Sequence, residues 1–338
     1  FPSLNGQVYA TVSDGNGGWY AGGSFSVLGM YNLVHILADN SIDAGFAPNP
    51  NSTINALFYD GTRLYVGGSF TQISGQTHSY LAAISPSDAV LQSWTPNANN
   101  LVSAINKEGN TLYVGGSFTS LGGKEVNYLG AVDTTTGNNV PFISASSTVS
   151  SIEKDATNFY VAGGFSGANG YFTGGTALLS NGSDLPDFNQ VKIQGQIYKT
   201  ISDGNGGWYV GGSINIQGVF NLAHITSTGA IDLSFAPNPN STVTALYYDG
   251  TTLYVGGSFT QISGQNHNYL AALNPTTGAL QSWNPNANST VNAITKEGNT
   301  LYVGGSFTSL GGREANYLGA VDATTGTNIP FISTNSTV

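Results

Sequence analysis

One phrase, close to Leu-Tyr-Val-Gly-Gly-Ser-Phe, recurs seven times along this chain. Counted by its first glycine it falls at Gly22, Gly67, Gly115, Gly163, Gly211, Gly256 and Gly304, at intervals of 45, 48, 48, 48, 45 and 48 residues. A period in the forties carrying short β-like segments marks a blade-type repeat, in which each unit is a small sheet that buries its faces only against its neighbours. The repeat thus restricts the chain to an all-β array.

The seventh unit shows how each repeat folds. Val291-Asn292-Ala293-Ile294 alternates apolar and polar residues, the pattern of a half-buried strand. Glu297-Gly298-Asn299 is a tight-turn signal, and Leu301-Tyr302-Val303 forms a second strand that runs into the glycine pair. A polar loop, Gly311 to Asn316, precedes a third strand at Tyr317–Asp322, and Ile329-Pro330-Phe331 supplies a fourth. The expected fold is one β-propeller domain over 1–338, with seven four-stranded blades near 7–50, 51–98, 99–146, 147–194, 195–239, 240–287 and 288–338. An eight-bladed ring with one blade outside this chain is the competing closure. Glycine weakens a strand interior, so the paired glycines predict a bulge or a close approach of neighbouring backbones. A phosphate-cradling loop would need a helix start after them, and none follows.

A longer repeat overlies the first. Residues 7–149 match residues 196–338 at a constant offset of 189, so a four-blade block has been copied. The chain stops at Val338, the counterpart of Val149, where another first strand would begin. With no Met at Phe1, this predicts a mature or excised part of a longer array.

Composition narrows the function classes. Only 8% of residues are charged, against roughly 25% in typical soluble domains, so Asn, Ser, Thr and Gly must supply the polar surface. Eight Lys and Arg against 18 Asp and Glu give a net charge of −10, which opposes a nucleic-acid partner. The absence of Cys excludes disulfides, thiolate metal sites and cysteine nucleophiles. No apolar run approaches the ~18 residues of a membrane-spanning helix.

The run Leu253–Thr260, the loop Gln261-Ile262-Ser263-Gly264-Gln265, Tyr269-Leu270-Ala271-Ala272 and Thr276-Thr277-Gly278 resemble the delta-sixty type of tandem β-propeller repeat found in large bacterial surface and secreted proteins. That resemblance spans essentially the whole chain and implies a non-catalytic extracellular propeller, often one module of a long adhesin-like protein. It brings no catalytic residues. A partial resemblance links Ala272–Gly278 before Trp283, and Ala131–Gly137 before Phe142, to the tryptophan-docking motif of quinoprotein propellers. That motif implies a turn held by Asp and Thr and an aromatic packed on the neighbouring blade. The quinone cofactor and Cys pair of those enzymes are not expected in a Cys-free chain.

Few residues are candidates for a site. Asp14 and Asn16, with their copies Asp203 and Asn205, could offer oxygens to Ca²⁺, although turn chemistry alone explains an Asp-Gly-Asn-Gly sequence. His35, His78, His224 and His267 form two pairs under the copy, and local hydrogen bonding is expected of them rather than a metal ring. Trp19, Trp208, Trp94 and Trp283 align with Leu or Phe in other blades and are read as core. Tyr31, Tyr171 and Phe220 are the loop aromatics suited to stacking on a sugar. Asn51, Asn181, Asn240, Asn288 and Asn335 begin Asn-x-Ser/Thr triplets, mostly at turns between blades. Asp60, Asp133, Asp249 and Asp322 recur at equivalent positions, so a blade-building role is expected of them rather than catalysis.

Taken together these residues predict a structural or adhesive module of a bacterial surface protein or fibre, without enzymatic activity or a cofactor. Its partners would be other domains or copies of the same protein, and glycans if it acts as a lectin-like propeller.

Overall fold

Seven short segments in which an apolar residue alternates with a polar one each become the first strand of a sheet. The structure, a computed structural model, describes residues 4–154, 158–165, 167–168, 171–172, 176–180, 183–184 and 193–329. The first strands are Gln7–Ser13, Ile54–Tyr59, Val102–Glu108, Val149–Lys154, Gln194–Ser202, Val243–Tyr248 and Val291–Glu297. Each pairs antiparallel with a second strand, which pairs with a third. Each first strand also packs against the first strand of the next sheet, and Val291–Glu297 packs against Gln7–Ser13. The fold is an all-β propeller in which the described sheets run as one closed circuit, with the first strands innermost. The side chain of Tyr171, the triplets at Asn181 and Asn335, and Phe331 to Val338 lie outside the described residues.

The hydrophobic core sits between sheets rather than within them. Tyr209, Leu222 and Phe235 of the fifth sheet pack with Val243, Leu253, Phe259 and Ile262 of the sixth. Trp19, Ala21 and Val34 of the first pack with Tyr302, Leu318 and Ala320 of the last. Trp19 and Trp208 are fully buried, as their alignment with Leu and Phe predicts. The docking turns are present too. Trp94 Nε1 donates to Asp133 O at 2.9 Å and Trp283 Nε1 to Asp322 O at 3.0 Å, each reaching the next sheet.

The two glycines of each pair have different reasons. A Cβ at the first would collide with the leading residue of the next sheet: at Gly256 it would lie 2.5 Å from Val291 Cγ1, and at Gly304 the same distance from Val8 Cγ1. A Cβ at the second would strike a carbonyl oxygen of its own sheet, that of Thr242 for Gly257 and of Thr290 for Gly305. There the first strand bulges and the backbones close in. Gly163 requires a correction of one residue. It opposes Val149 as Gly116 opposes Val102, so it is a second glycine, and Ala162 holds the first position of its pair.

The strand count also departs from expectation. Four-stranded sheets occur in the third blade, through Asn139–Val140, and in the fourth, through Ser183–Asp184. In the other five the described residues show single bridges at this place: Ile36 to Ile42, Ile84 to Leu91, Ile225 to Ile231, Leu273 to Leu280 and Val321 to Asn328, the last just before the expected fourth strand Ile329-Pro330-Phe331, of which Pro330 and Phe331 lie outside the described residues. In four of them the chain then runs into Pro-Asn segments, where Pro has no N–H for a ladder and Asn49, Asn97, Asn238 and Asn286 take positive φ. Conversely, the loop expected before the third strand contains a small hairpin of its own. Gln72–Ile73 pairs with Gln76–Thr77 around Ser74-Gly75, both at positive φ as a type I′ turn requires.

Asparagines fasten the start of four blades. Asn51 Oδ1 accepts from Thr71 N and Gln72 N, and its Nδ2 donates to Thr71 Oγ1. Asn99, Asn240 and Asn288 repeat the clamp. The glycosylation triplets at Asn51, Asn240 and Asn288 therefore place their amides in structural hydrogen bonds.

Candidate functional site

Charge is scarce in this chain and is spent at the joints between sheets. Lys107 Nζ lies 3.0 Å from Asp60, Lys154 Nζ 2.8 Å from Glu108, Lys199 Nζ 2.7 Å from Glu153 and Lys296 Nζ 2.8 Å from Asp249. Arg63 Nη1 donates to Thr134 O at 2.6 Å. Five of the eight Lys and Arg thus tie one sheet to the next, while Lys124 and Arg313 stay exposed on the small hairpins. Burial alone would raise the pKa of Asp60 and Asp249. Hydrogen bonds from Thr62 and Arg63 N, and from Lys296 and Thr251, outweigh it and hold each at about 2.

Both turns that could offer oxygens to Ca²⁺ are built into a different device. Asp14 Oδ1 accepts from Asn16 N and Gly18 N, and Oδ2 lies 3.1 Å from His35 Nε2. The other imidazole nitrogen lies 3.0 Å from Asp43 Oδ2, and the ring stacks on Tyr20. Asp203, His224, Asp232 and Tyr209 repeat the arrangement in the fifth sheet. Asn16 and Asn205 donate back to the carbonyls of Asp14 and Asp203. Both oxygens of each turn carboxylate are therefore taken, and the Asp–His–Asp clasp ties three hairpins of one sheet together. Among the described residues no three His, Asp or Glu side chains converge to hold a metal ion. Burial lowers the pKa of His224, but its bonds to Asp203 and Asp232 dominate and raise it; both carboxyl groups are correspondingly lowered. His267 sits deeper than a loop position suggests, and desolvation lowers its pKa.

One concavity is axial. A cavity of about 570 Å³ lies inside the circuit, and all seven first strands contribute to its wall. The repeated bulge decides what faces it. Each first strand skips one residue in its register with the second: Tyr9, Asn55, Ser103, Ser150, Tyr198, Thr244 and Asn292. All seven line the cavity and all carry a hydroxyl or an amide. Bulges re-aim side chains in this way. The position after the bulge is Ala in five sheets and Ser151 in the fourth, but in the fifth it is Lys199, whose copy in the first sheet is Ala10. Lys199 and Glu153 are the two charged residues of the lining. Thr11 Oγ1 and Asn55 Oδ1, also in the wall, are buried without a hydrogen-bond partner among the described residues. An unpaired buried polar atom costs about 1–3 kcal/mol.

Sequence reasoning missed this ring. Its signal is the break in strict alternation after Val8, Ile54 and their equivalents, together with the change from a small Ala10 to a charged Lys199 between the two copies. Tyr31 and Phe220, expected in loops, instead stand near the start of the third strands Met30–Ile36 and Val219–Ile225 of the first and fifth sheets, where both are exposed and the fold holds them apart.

Residues 249–280 match the family model described as a "Domain of unknown function (DUF5122) beta-propeller". No curated protein matches the chain. Among solved structures, the WD40 β-propeller domain of Doa1 is similar with a TM-score of 0.60 at 11% identity, over 90% of this chain and 91% of that one. The computationally designed Ika8 protein is similar with a TM-score of 0.57 at 14% identity, over 97% and 88%. The extracellular domain of the putative one-component system BT4673 of B. thetaiotaomicron gives 0.58 at 15% identity over 91% of this chain. The chain spans 39% of the length of that extracellular chain. At these identities the likeness establishes the propeller fold. Among the described residues no helix is long and apolar enough to cross a membrane.

Proposed function

We propose that this propeller is a non-catalytic module of a larger bacterial extracellular or cell-surface protein, with a structural or adhesive role. One observation carries the reading: five of the eight Lys and Arg side chains fasten one sheet to the next, which suits a rigid spacer and leaves little charge for acid–base chemistry. The near-absence of charge, the lack of Cys and the resemblance of the repeat to the delta-sixty type support an extracellular setting. So does the presence of an extracellular bacterial domain among proteins of the same fold. Its partners on this reading are the neighbouring domains or further copies of the same surface protein.

The test uses the full-length protein in its source cells. An antibody against residues 1–338 should label intact, unpermeabilised cells, and deletion of the propeller should alter attachment or surface assembly. Labelling only after permeabilisation would overturn the reading.

A further inference from the structure

We infer that the axial cavity is a binding site for a short neutral saccharide, held by the ring of bulge residues. Its wall has the chemistry of such a ligand. Every bulge position offers a neutral hydroxyl or amide, and these groups donate and accept as sugar hydroxyls do. Two of the seven are tyrosines, Tyr9 in the first sheet and Tyr198 in the fifth, on opposing sides of the circuit, and their rings add apolar faces for stacking. Tyr198 is 36% exposed although it stands on an innermost strand.

Other ligand classes fit less well. The one cation of the wall, Lys199, is already paired with Glu153 at 2.7 Å, so neither an anion nor a cation finds a free countercharge. An apolar ligand would leave Thr11 Oγ1 and Asn55 Oδ1 unpaired and would cover the hydroxyls and amides of the ring without bonding to them. A neutral polyol can hydrogen-bond to both members of the ion pair without separating them, and it can reach toward the wall that holds Thr11 and Asn55. A volume of about 570 Å³ falls in the range of small-ligand pockets and excludes a folded partner. Lys199 is the asymmetric element: it replaces the small residue found at this position in the other sheets, so it gives an otherwise repetitive ring one distinguishable side.

The site is independent of the surface role: failure to bind sugar would leave the extracellular module intact, and an intracellular location would leave this site intact. The test is calorimetric and NMR titration of residues 1–338 with a panel of neutral hexose and N-acetylhexosamine disaccharides and trisaccharides, beside sialylated and uronic-acid counterparts. At least one neutral saccharide should bind saturably. Tyr198→Ala and Asn55→Leu should each weaken it roughly tenfold or more at unchanged melting temperature. Tyr31→Ala and Phe220→Ala should leave it unchanged. Absence of binding across the neutral panel would overturn the inference. So would binding confined to the acidic sugars, or binding lost with Tyr31 and Phe220 but not with Tyr198 and Asn55. A channel variant that fails to fold is replaced by Lys199→Met, for which a loss of at least several-fold is expected and unchanged binding counts against the site.

Discussion

Glu297 and Gly17 are joined across the seam between the last and first sheets: Glu297 Oε1 accepts a hydrogen bond from Gly17 N at 2.7 Å, while Oε2 accepts one from Ser13 Oγ at 2.6 Å. The ring of Tyr302 lies 4.8 Å from that of Trp19, and its hydroxyl donates to Gly17 O. One carboxylate thus serves where Lys–acid pairs serve at four other joints.

Glu297→Ala should therefore cost about 1–2 kcal/mol, since a charge-assisted bond is worth more than a neutral one but this group is only partly buried. Chemical denaturation would measure it beside Glu314→Ala, which lies on an exposed hairpin and should change stability by under about 0.5 kcal/mol. Equal effects would mean that the seam contributes nothing.

The glycine pair predicts an order. Gly257→Ala should destabilise more than Gly256→Ala, because a Cβ at 257 meets the Thr242 carbonyl of the backbone, whereas at 256 it meets a Val291 methyl that can shift. Gly256→Val should cost about 1–3 kcal/mol by overpacking. Thermal melts of the three variants check the order, and a milder effect at 257 than at 256 would refute it.

The clasp of the fifth sheet predicts a pH dependence. The pKa of His224 is raised, so its contribution is complete below the unfolded value near 6.5 and is lost as pH rises through the folded value. The pKa values of Asp203 and Asp232 are lowered, so theirs is complete above about 3.9 and is lost as pH falls through the folded values. The difference in melting temperature between the native protein and His224→Gln should peak between about pH 4 and 6.5 and shrink on both sides. A difference that grows toward pH 9 would contradict the doubly hydrogen-bonded imidazolium.

Much of this architecture is legible in the residues. The recurring Leu-Tyr-Val-Gly-Gly places second strands and close approaches, and Trp19 and Trp208 are readable as core because Leu replaces them elsewhere. The one-residue shift at Gly163 is hidden because Ala162 leaves a glycine pair that looks like the others. The clasp joins Asp14 to His35 and Asp43 across 21 and 8 residues, and no local pattern announces it. The ring of bulge residues appears only when seven strands are laid side by side, since any one of them looks like an ordinary polar strand residue.

Because each core spans two sheets, a lone blade has no core of its own. Residues 243–290 should be unfolded or aggregated when expressed alone, whereas the whole chain should melt cooperatively. Circular dichroism decides: a cooperative transition from a monomeric blade would show that blades fold independently.

Closure of the ring is the claim on which seam, core and channel all depend, and small-angle X-ray scattering of monomeric 1–338 tests it most directly. A closed propeller of this length should give a radius of gyration of about 20 Å with a single symmetric distance distribution. A skewed distribution with a long tail, from an open stack of sheets, would contradict the account.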